Sequence, residues 1–504
     1  MGRTSVVWAS FAGLQPAASL TGGTAVLRVV PSAANRGSRE RLLWHRAGEA
    51  AVSEWSGTGT LPAGDPDPPA ADPAPSLTWQ PVLDGEERAE ALSAVTEIAA
   101  SLASLPHDDA SLAGGSAGRA VLHARLAADD AVQRDSALAC LRHAAASLRT
   151  PGGSSSLHLG AAGVGWTLAH VAGEVLDDRD RCAGVDRALL RLLDRRPWPG
   201  PRDLIRGLVG IGVYAAERLD VPAGPQLLEQ VVRRLDETGT RDGVHGSWWT
   251  PPKLLPTPVR QRSPHGHVDL GVAHGVPGMI ALLGTACAAD VATDIARPLL
   301  DGAVAWFLDT GLDGEVLPSW WVPDGEREPA RTAWCYGEPG VAVALLGAAR
   351  AVGEATWEDA ALRLAHRAAA RPVEDTGVVD AGLCHGAAGL GLVFARLHQV
   401  TGDPQLHDTA RYWFRHTLDL RVPSTGVAGY TAADVDGPVA DPSLLAGATG
   451  IALALHAAGT DHEPTWDRTL LLSTAPQAAT RVAAPTGSLR SGSQTQGRGH
   501  AMMH

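Results

Sequence analysis

The stretch Gly382-Leu-Cys-His-Gly-Ala-Ala-Gly-Leu-Gly-Leu-Val-Phe-Ala-Arg-Leu397 carries the first clue to both fold and chemistry. After Gly386 the residues are apolar nearly all round, as a helix buried on every side would need. The glycines at 386 and 389 form a Gly-x-x-Gly element at the head of that helix. The same element recurs at Gly115, Gly160, Gly207, Gly275, Gly337 and Gly447, each time before an apolar helical stretch. Seven copies of one unit signal an array in which each repeat buries its neighbour.

Between the copies lie amphipathic segments with apolar residues spaced three and four apart and charges on the other face. Examples are 127–149, 179–195, 288–308, 355–371 and 404–418. They read as outer helices. Alternation of inner and outer helices seven times over predicts an all-α fold, an α/α toroid of seven inner and seven outer helices. Paired glycines suit inner helices whose starts converge on an axis. Longer insertions, with Trp248-Trp249 and Trp320-Trp321, precede the copies at Gly275 and Gly337, and such insertions gather on one, often binding, face.

The chain has 504 residues, of which 45% are apolar and 19% charged, enough for a large core. A net charge of −13 with no basic stripe excludes nucleic acid as the expected partner. The five cysteines are scattered, which argues against a disulfide framework. Cys140, Cys182 and Cys287 read as buried small hydrophobes. No run reaches the roughly 18 apolar residues of a membrane span, and 5–14 makes a poor signal-peptide core. A cytoplasmic protein is expected. Residues 1–80, with the Pro/Asp/Ala-rich run 61–75, read as a linker-like extension, 81–472 as the toroid, and 473–504 as a disordered tail.

Cys384 stands two residues before its glycine and His385 one. Cys335, in Trp334-Cys335-Tyr336-Gly337, stands two before its own. In a closed toroid these loop positions face one end of the central cavity, so the three side chains can converge. Two thiolates and an imidazole suit Zn²⁺, and three protein ligands leave the open position of a catalytic site. The bland alternative is three helix-start residues that pack or bond backbone. Such a site favours activation of a thiol, because a thiol that binds zinc is deprotonated at a pH where free Cys, with a pKa of about 8.5, is not.

His274 stands one residue before Gly275, in the register of His385. From register alone it is a fourth ligand, a core histidine or a general acid/base. Asp203 could orient a histidine or cap a helix. Arg331 could hold an anionic intermediate or pair with an acidic neighbour. His265, His267 and Asp269 read as part of a solvated loop, with a second metal site as the lesser alternative.

These residues resemble the lanthionine synthetase C (LanC) cyclases. The resemblance rests on the Gly-x-x-Gly repeats, Asp203-Leu-Ile-x-Gly, Ala273-His274-Gly275, Arg331-x-x-Trp334-Cys335-Tyr-Gly and Cys384-His385-Gly, and runs from about 85 to 460. It implies a lantibiotic-type cyclase in which a cysteine thiolate of a dehydrated precursor peptide adds to dehydroalanine or dehydrobutyrine, forming (methyl)lanthionine. It also implies one Zn²⁺ per chain on Cys335, Cys384 and His385, with His274 as acid/base and Asp203 and Arg331 assisting. The first 80 residues are too short for a dehydratase. A free-standing class I cyclase is therefore expected, with a separate dehydratase and a transporter as further partners. The rivals are a LanC-like protein that joins glutathione to dehydrated proteins, a zinc-dependent prenyltransferase-type toroid, and a non-catalytic peptide-binding toroid.

Overall fold

The computed structural model describes residues 78–473, apart from 129, 151, 178, 311–315 and 324–327. The expected extension and tail therefore lie almost wholly outside the described residues. The first helices are α1 (Gly85–Ala103), α2 (Ser116–Arg125), α3 (Ala131–Ser147), α4 (Ala161–His170), α5 (Ala183–Leu193), α6 (Leu208–Glu217) and α7 (Ala223–Thr238). An insertion follows: strands β1 (Thr240–Asp242), β2 (His245–Ser247) and β3 (Trp249–Thr250), the short α8 (Thr257–Arg262) and β4 (His267–Asp269). Then come α9 (Val276–Ala288), α10 (Thr293–Asp309), β5 (Trp320–Trp321), α11 (Glu338–Val352), α12 (Ala355–Ala369), α13 (Ala387–Thr401), α14 (Pro404–Asp419) and α15 (Ala448–Gly459).

Among the described residues, seven inner and seven outer helices emerge, as the sequence predicts. The inner ones are α2, α4, α6, α9, α11, α13 and α15. In α13 every residue from Ala387 to Leu397 is buried, which is why its sequence has no polar face. Its outer partner α14 buries Leu406, Ala410, Trp413, Phe414, Thr417 and Leu418, on one stripe. Asp403 caps α14, its Oδ1 accepting from the Gln405 N–H at 2.8 Å, with Pro404 at the first helical position. Each inner helix packs on the next, and α15 packs back on α2, so the ring is closed. The last inner helix takes its outer partner from the start of the chain, α15 lying against α1.

The glycines do something different from what the sequence suggests. A Cβ on the second glycine of every copy would fall within 3.0 Å of the carbonyl oxygen of a residue in its own preceding loop. The first glycines meet their own loop's backbone in the same way. The loop thus doubles back onto the first helical turn, and that, more than an approach of neighbouring helices, is what demands glycine. Gly337 carries the further constraint of φ +92°.

The segment Thr465–Leu472 runs through the lumen. It bonds to Arg125 of α2, His170 of α4, Glu217 of α6 and Arg396 of α13, helices from opposite sides of the ring. Trp466, Leu470, Leu471 and Leu472 are buried there. At the other end of the sequence, Trp79 belongs to the packed body, two residues before the expected boundary at 81. It is 4% exposed, and its indole N–H donates to the Ala457 carbonyl at 2.8 Å.

The insertion adds what an all-helical reading omits: a β1–β2 hairpin and an antiparallel three-stranded sheet in the order β3-β4-β5. Cys140 and Cys182 are buried as expected, whereas Cys287 is half-buried. Among the described residues no helix is long and apolar enough to cross a membrane.

Candidate metal centre

The residues two positions before each first glycine (Ala113, His158, Ile205, Ala273, Cys335, Cys384 and Leu445) lie on a belt of backbone hydrogen bonds. Ala113 N–H donates to His158 O at 2.8 Å, and His158 to Ile205 O at 3.4 Å. Leu204 donates to Ala273 O, Ala273 to Cys335 O, Cys335 to Cys384 O and Cys384 to Leu445 O, at 3.2, 3.4, 3.3 and 2.8 Å. Leu444 closes the circuit on Ala113 O at 2.8 Å. Equivalent loop positions thus become neighbours in space, and cysteines in adjacent repeats are brought side by side.

An aspartate braces most of these loops. Asp109, Asp269, Asp380 and Asp441 each stand six residues before their glycine, and Oδ1 of each accepts the N–H two residues on, at 2.7–3.1 Å. Three repeats depart from this rule. In the second, Ser154 stands at the position and its Oγ accepts from the Ser156 N–H at 3.2 Å. In the third, Asp203 stands four residues before Gly207, and its Oδ1 accepts from the Arg206 N–H at 2.6 Å. In the fifth, the position holds Arg331, which cannot accept from an N–H. Departures from a repeated local rule mark functional positions.

The structure brings the three expected ligands together. One donor atom from each of Cys335, Cys384 and His385 lies within 4.8 Å of the others, and all three residues are buried. His385 Nδ1 is buried without a hydrogen-bond partner among the described residues, as a nitrogen reserved for a ligand would be. Two sulfurs and one imidazole, its Nδ1 without a partner, fit zinc. The Cys335 thiol is held well below its ordinary range by the Cys384 thiol that bonds to it, by His385 and by the charge of Arg331, against the opposing effect of burial. Burial and the neighbouring Cys335 push Cys384 the other way.

His274 is not part of the donor cluster. Its Nδ1 faces Asp203 Oδ2 at 3.4 Å. Burial lowers its pKa, but the Asp203 bond and charge outweigh that and the net shift is upward. The belt bond from Ala273 to Cys335 sets His274 beside the metal loop, its ring centroid 6.2 Å from that of Tyr336.

A cleft of about 620 Å³, open solvent at its mouth included, lies on Asp203, Arg206, His274 and Tyr336. Leu254, Leu255, Pro256, Val259 and Trp320 of the insertions form its apolar wall. The reading of 265–269 as a solvated loop is corrected here. His267 and Asp269 are buried in β4, because β3 and β5 pair on either side of it, and only His265 is exposed. Asp269 accepts a hydrogen bond from the Tyr336 hydroxyl at 2.8 Å, and among the described residues its pair with His267 has no third metal donor beside it. Tyr336 escaped the sequence reading as a site residue, and Asp269 was read only as part of a loop, although the recurrence of Asp six residues before a glycine was there to be noticed.

The family model for lanthionine synthetase C-like proteins matches residues 106–471. Among solved structures, one described as nisin cyclase superposes with a TM-score of 0.60 at 19% identity, over 75% of this chain and 96% of that one. At that identity the likeness speaks for the fold.

Proposed function

The chain belongs to the lanthionine synthetase C-like family, and on that footing we propose that it is a zinc-dependent lanthipeptide cyclase. It closes (methyl)lanthionine rings by adding cysteine thiolates of a dehydrated precursor peptide to dehydroalanine or dehydrobutyrine. The observation that carries this reading is the buried cluster of Cys335, Cys384 and His385, one belt bond from His274.

Cys335, Cys384 and His385 would hold the ion; when bound there, zinc would take up the substrate thiol and keep it ionised at neutral pH. The residues of the chain divide the remaining work. His274 accepts the proton that leaves the cysteine sulfur. The sulfur forms its bond to the β-carbon of the dehydro residue, and the π electrons move onto the carbonyl as an enolate. His274 then returns the proton to the α-carbon, so one proton serves both halves of the addition. Asp203 fixes the imidazole and supports its charged form, as a carboxylate beside an acid/base histidine does. Arg331, whose charge acts on both cysteines, supplies positive potential where the enolate develops. The cleft and its apolar wall would seat the peptide, with a separate dehydratase and a transporter as the expected partners of a class I system.

A peptide carrying one dehydroalanine and one cysteine tests this. Wild-type protein should convert it to a product of unchanged mass whose thiol no longer alkylates, above the spontaneous background. A protein that instead attaches added glutathione to the peptide, raising its mass, would support the glutathione-transferring alternative. A protein that binds the peptide without closing the ring would support a non-catalytic toroid.

A further inference from the structure

We infer that the axial segment Thr465–Leu472 is a strut that positions the metal centre, acting on Cys335 through Trp334, with His158 as a second fastening; this rests on the zinc reading above. Trp334 is 1% exposed and precedes Cys335 directly. Its indole N–H donates to the Leu470 carbonyl at 2.8 Å. Its own carbonyl lies where a Cβ on Gly340 would have to go, so the peptide is held on both sides.

The need for such a strut follows from the repeat. The Cys384 loop is braced by Asp380, whose Oδ1 accepts the Gly382 N–H at 3.1 Å. The Cys335 loop carries Arg331 at that position and lacks this brace. The residue before Cys384 is Leu383, whose side chain cannot hydrogen-bond. Of the two ligand loops, the one without an aspartate is thus the one that reaches for the lumen. A second fastening lies in the register of the ligands themselves: His158 is fully buried, and its Nε2 donates to the Thr469 carbonyl at 3.0 Å. The carbonyl can only accept, so Nε2 carries the proton.

The strut is in turn fixed to the inner helices. Arg396 of α13 grips Asp467 with two bonds of 2.6 and 3.1 Å, and Arg468 reaches Glu217 of α6 at 3.2 Å. A strut tied to rigid helices can hold the Cys335 loop, and the His158 loop in the same register, to the tolerance of about 0.5 Å that a site requires. Trp334 and His158 are therefore positioning residues.

The test is metal affinity, measured by chelator competition and by the thiolate-to-Co²⁺ absorption bands of the substituted protein. Trp334→Phe keeps the ring and removes the donor. It should weaken the metal by about 10–100-fold, the range seen when outer partners of ligands are removed, and alter the Co²⁺ bands. Metal-free Trp334→Phe protein should still unfold in one cooperative transition. His158→Leu should weaken binding in the same direction, while His158→Gln, which keeps an N–H donor, should restore it. Wild-type affinity and spectrum in Trp334→Phe would overturn the strut. Should that variant not fold, wild-type affinity in His158→Leu would do so. A wild-type protein that binds no metal would overturn the zinc reading itself, a failure distinct from one confined to the variants.

Discussion

Oδ2 of Asp203 lies 3.4 Å from Nδ1 of His274, while Oδ1 of the same carboxylate is fixed by the Arg206 N–H at 2.6 Å. The neutral imidazole then keeps its proton on Nδ1, toward the carboxylate, and Nε2 is the basic atom. Because the pKa of His274 is raised, neutral His274 is present only above that raised value. The acid limb of kcat/KM, which reports the free enzyme, should have its midpoint above the ordinary imidazole value of about 6.5. Asp203→Asn should move the limb to lower pH and slow the reaction by about 10-fold or more. An unmoved limb would remove Asp203 from the mechanism. The sign also applies to stability: the pair's contribution is complete below the ordinary histidine value and is lost as pH rises through the raised one.

Gly389→Ala should destabilise the toroid by about 1–3 kcal/mol, the usual cost of overpacking. The added methyl would collide with the Leu383 carbonyl, which belongs to the loop that carries Cys384. Urea unfolding would show a lower midpoint, and metal affinity should fall with it. A variant as stable as wild type would mean that the loop has room to move.

A chain beginning at Leu77 should fold as the full-length protein does, and should close rings if the first residues take no part in catalysis. One beginning at Pro81 loses Trp79, its bond to Ala457 and its stacking under the Arg396 guanidinium, whose Cζ lies 4.9 Å from the ring centroid. Removal of a buried Trp costs about 3–5 kcal/mol. Thermal melting of the two truncations should therefore differ by several degrees. Equal melting would deny Trp79 its place in the core.

Much of this was legible because the repeat writes itself twice, once in apolar helices and once in the glycines that begin them. Cys335 and Cys384 stood out for the same reason: they share a register, with His385 directly after the second. His158 shares it too, yet no residue pattern announces that its partner is the Thr469 carbonyl, 311 residues away. The axial segment was similarly hidden, since Thr465–Leu472 carries no repeat signal and is held by tertiary contacts alone. His267 and Asp269 misled because Pro and Gly around them suggest a loop, whereas β3 of the same insertion and β5 of the next pair with β4 on either side and bury it. Trp79 looked like the end of a linker because its partner, Ala457, is in the last inner helix.

Cys384→Ala should abolish tight metal binding and ring closure while leaving the fold intact. The buried core comes from the packed helices and not from an ion. Circular dichroism should be unchanged, and thermal unfolding of the metal-free variant and metal-free wild type should agree within a few degrees. Collapse of the helical signal would show that the thiol is structural.

The most direct test is X-ray absorption at the zinc edge of the purified protein, with and without a dehydrated peptide that contains cysteine. Two sulfur and one nitrogen ligand are expected from Cys335, Cys384 and His385, the remainder being light atoms. A third sulfur should appear when the peptide is added. Zinc bound only by nitrogen and oxygen, or a sulfur count that the peptide leaves unchanged, would contradict the account.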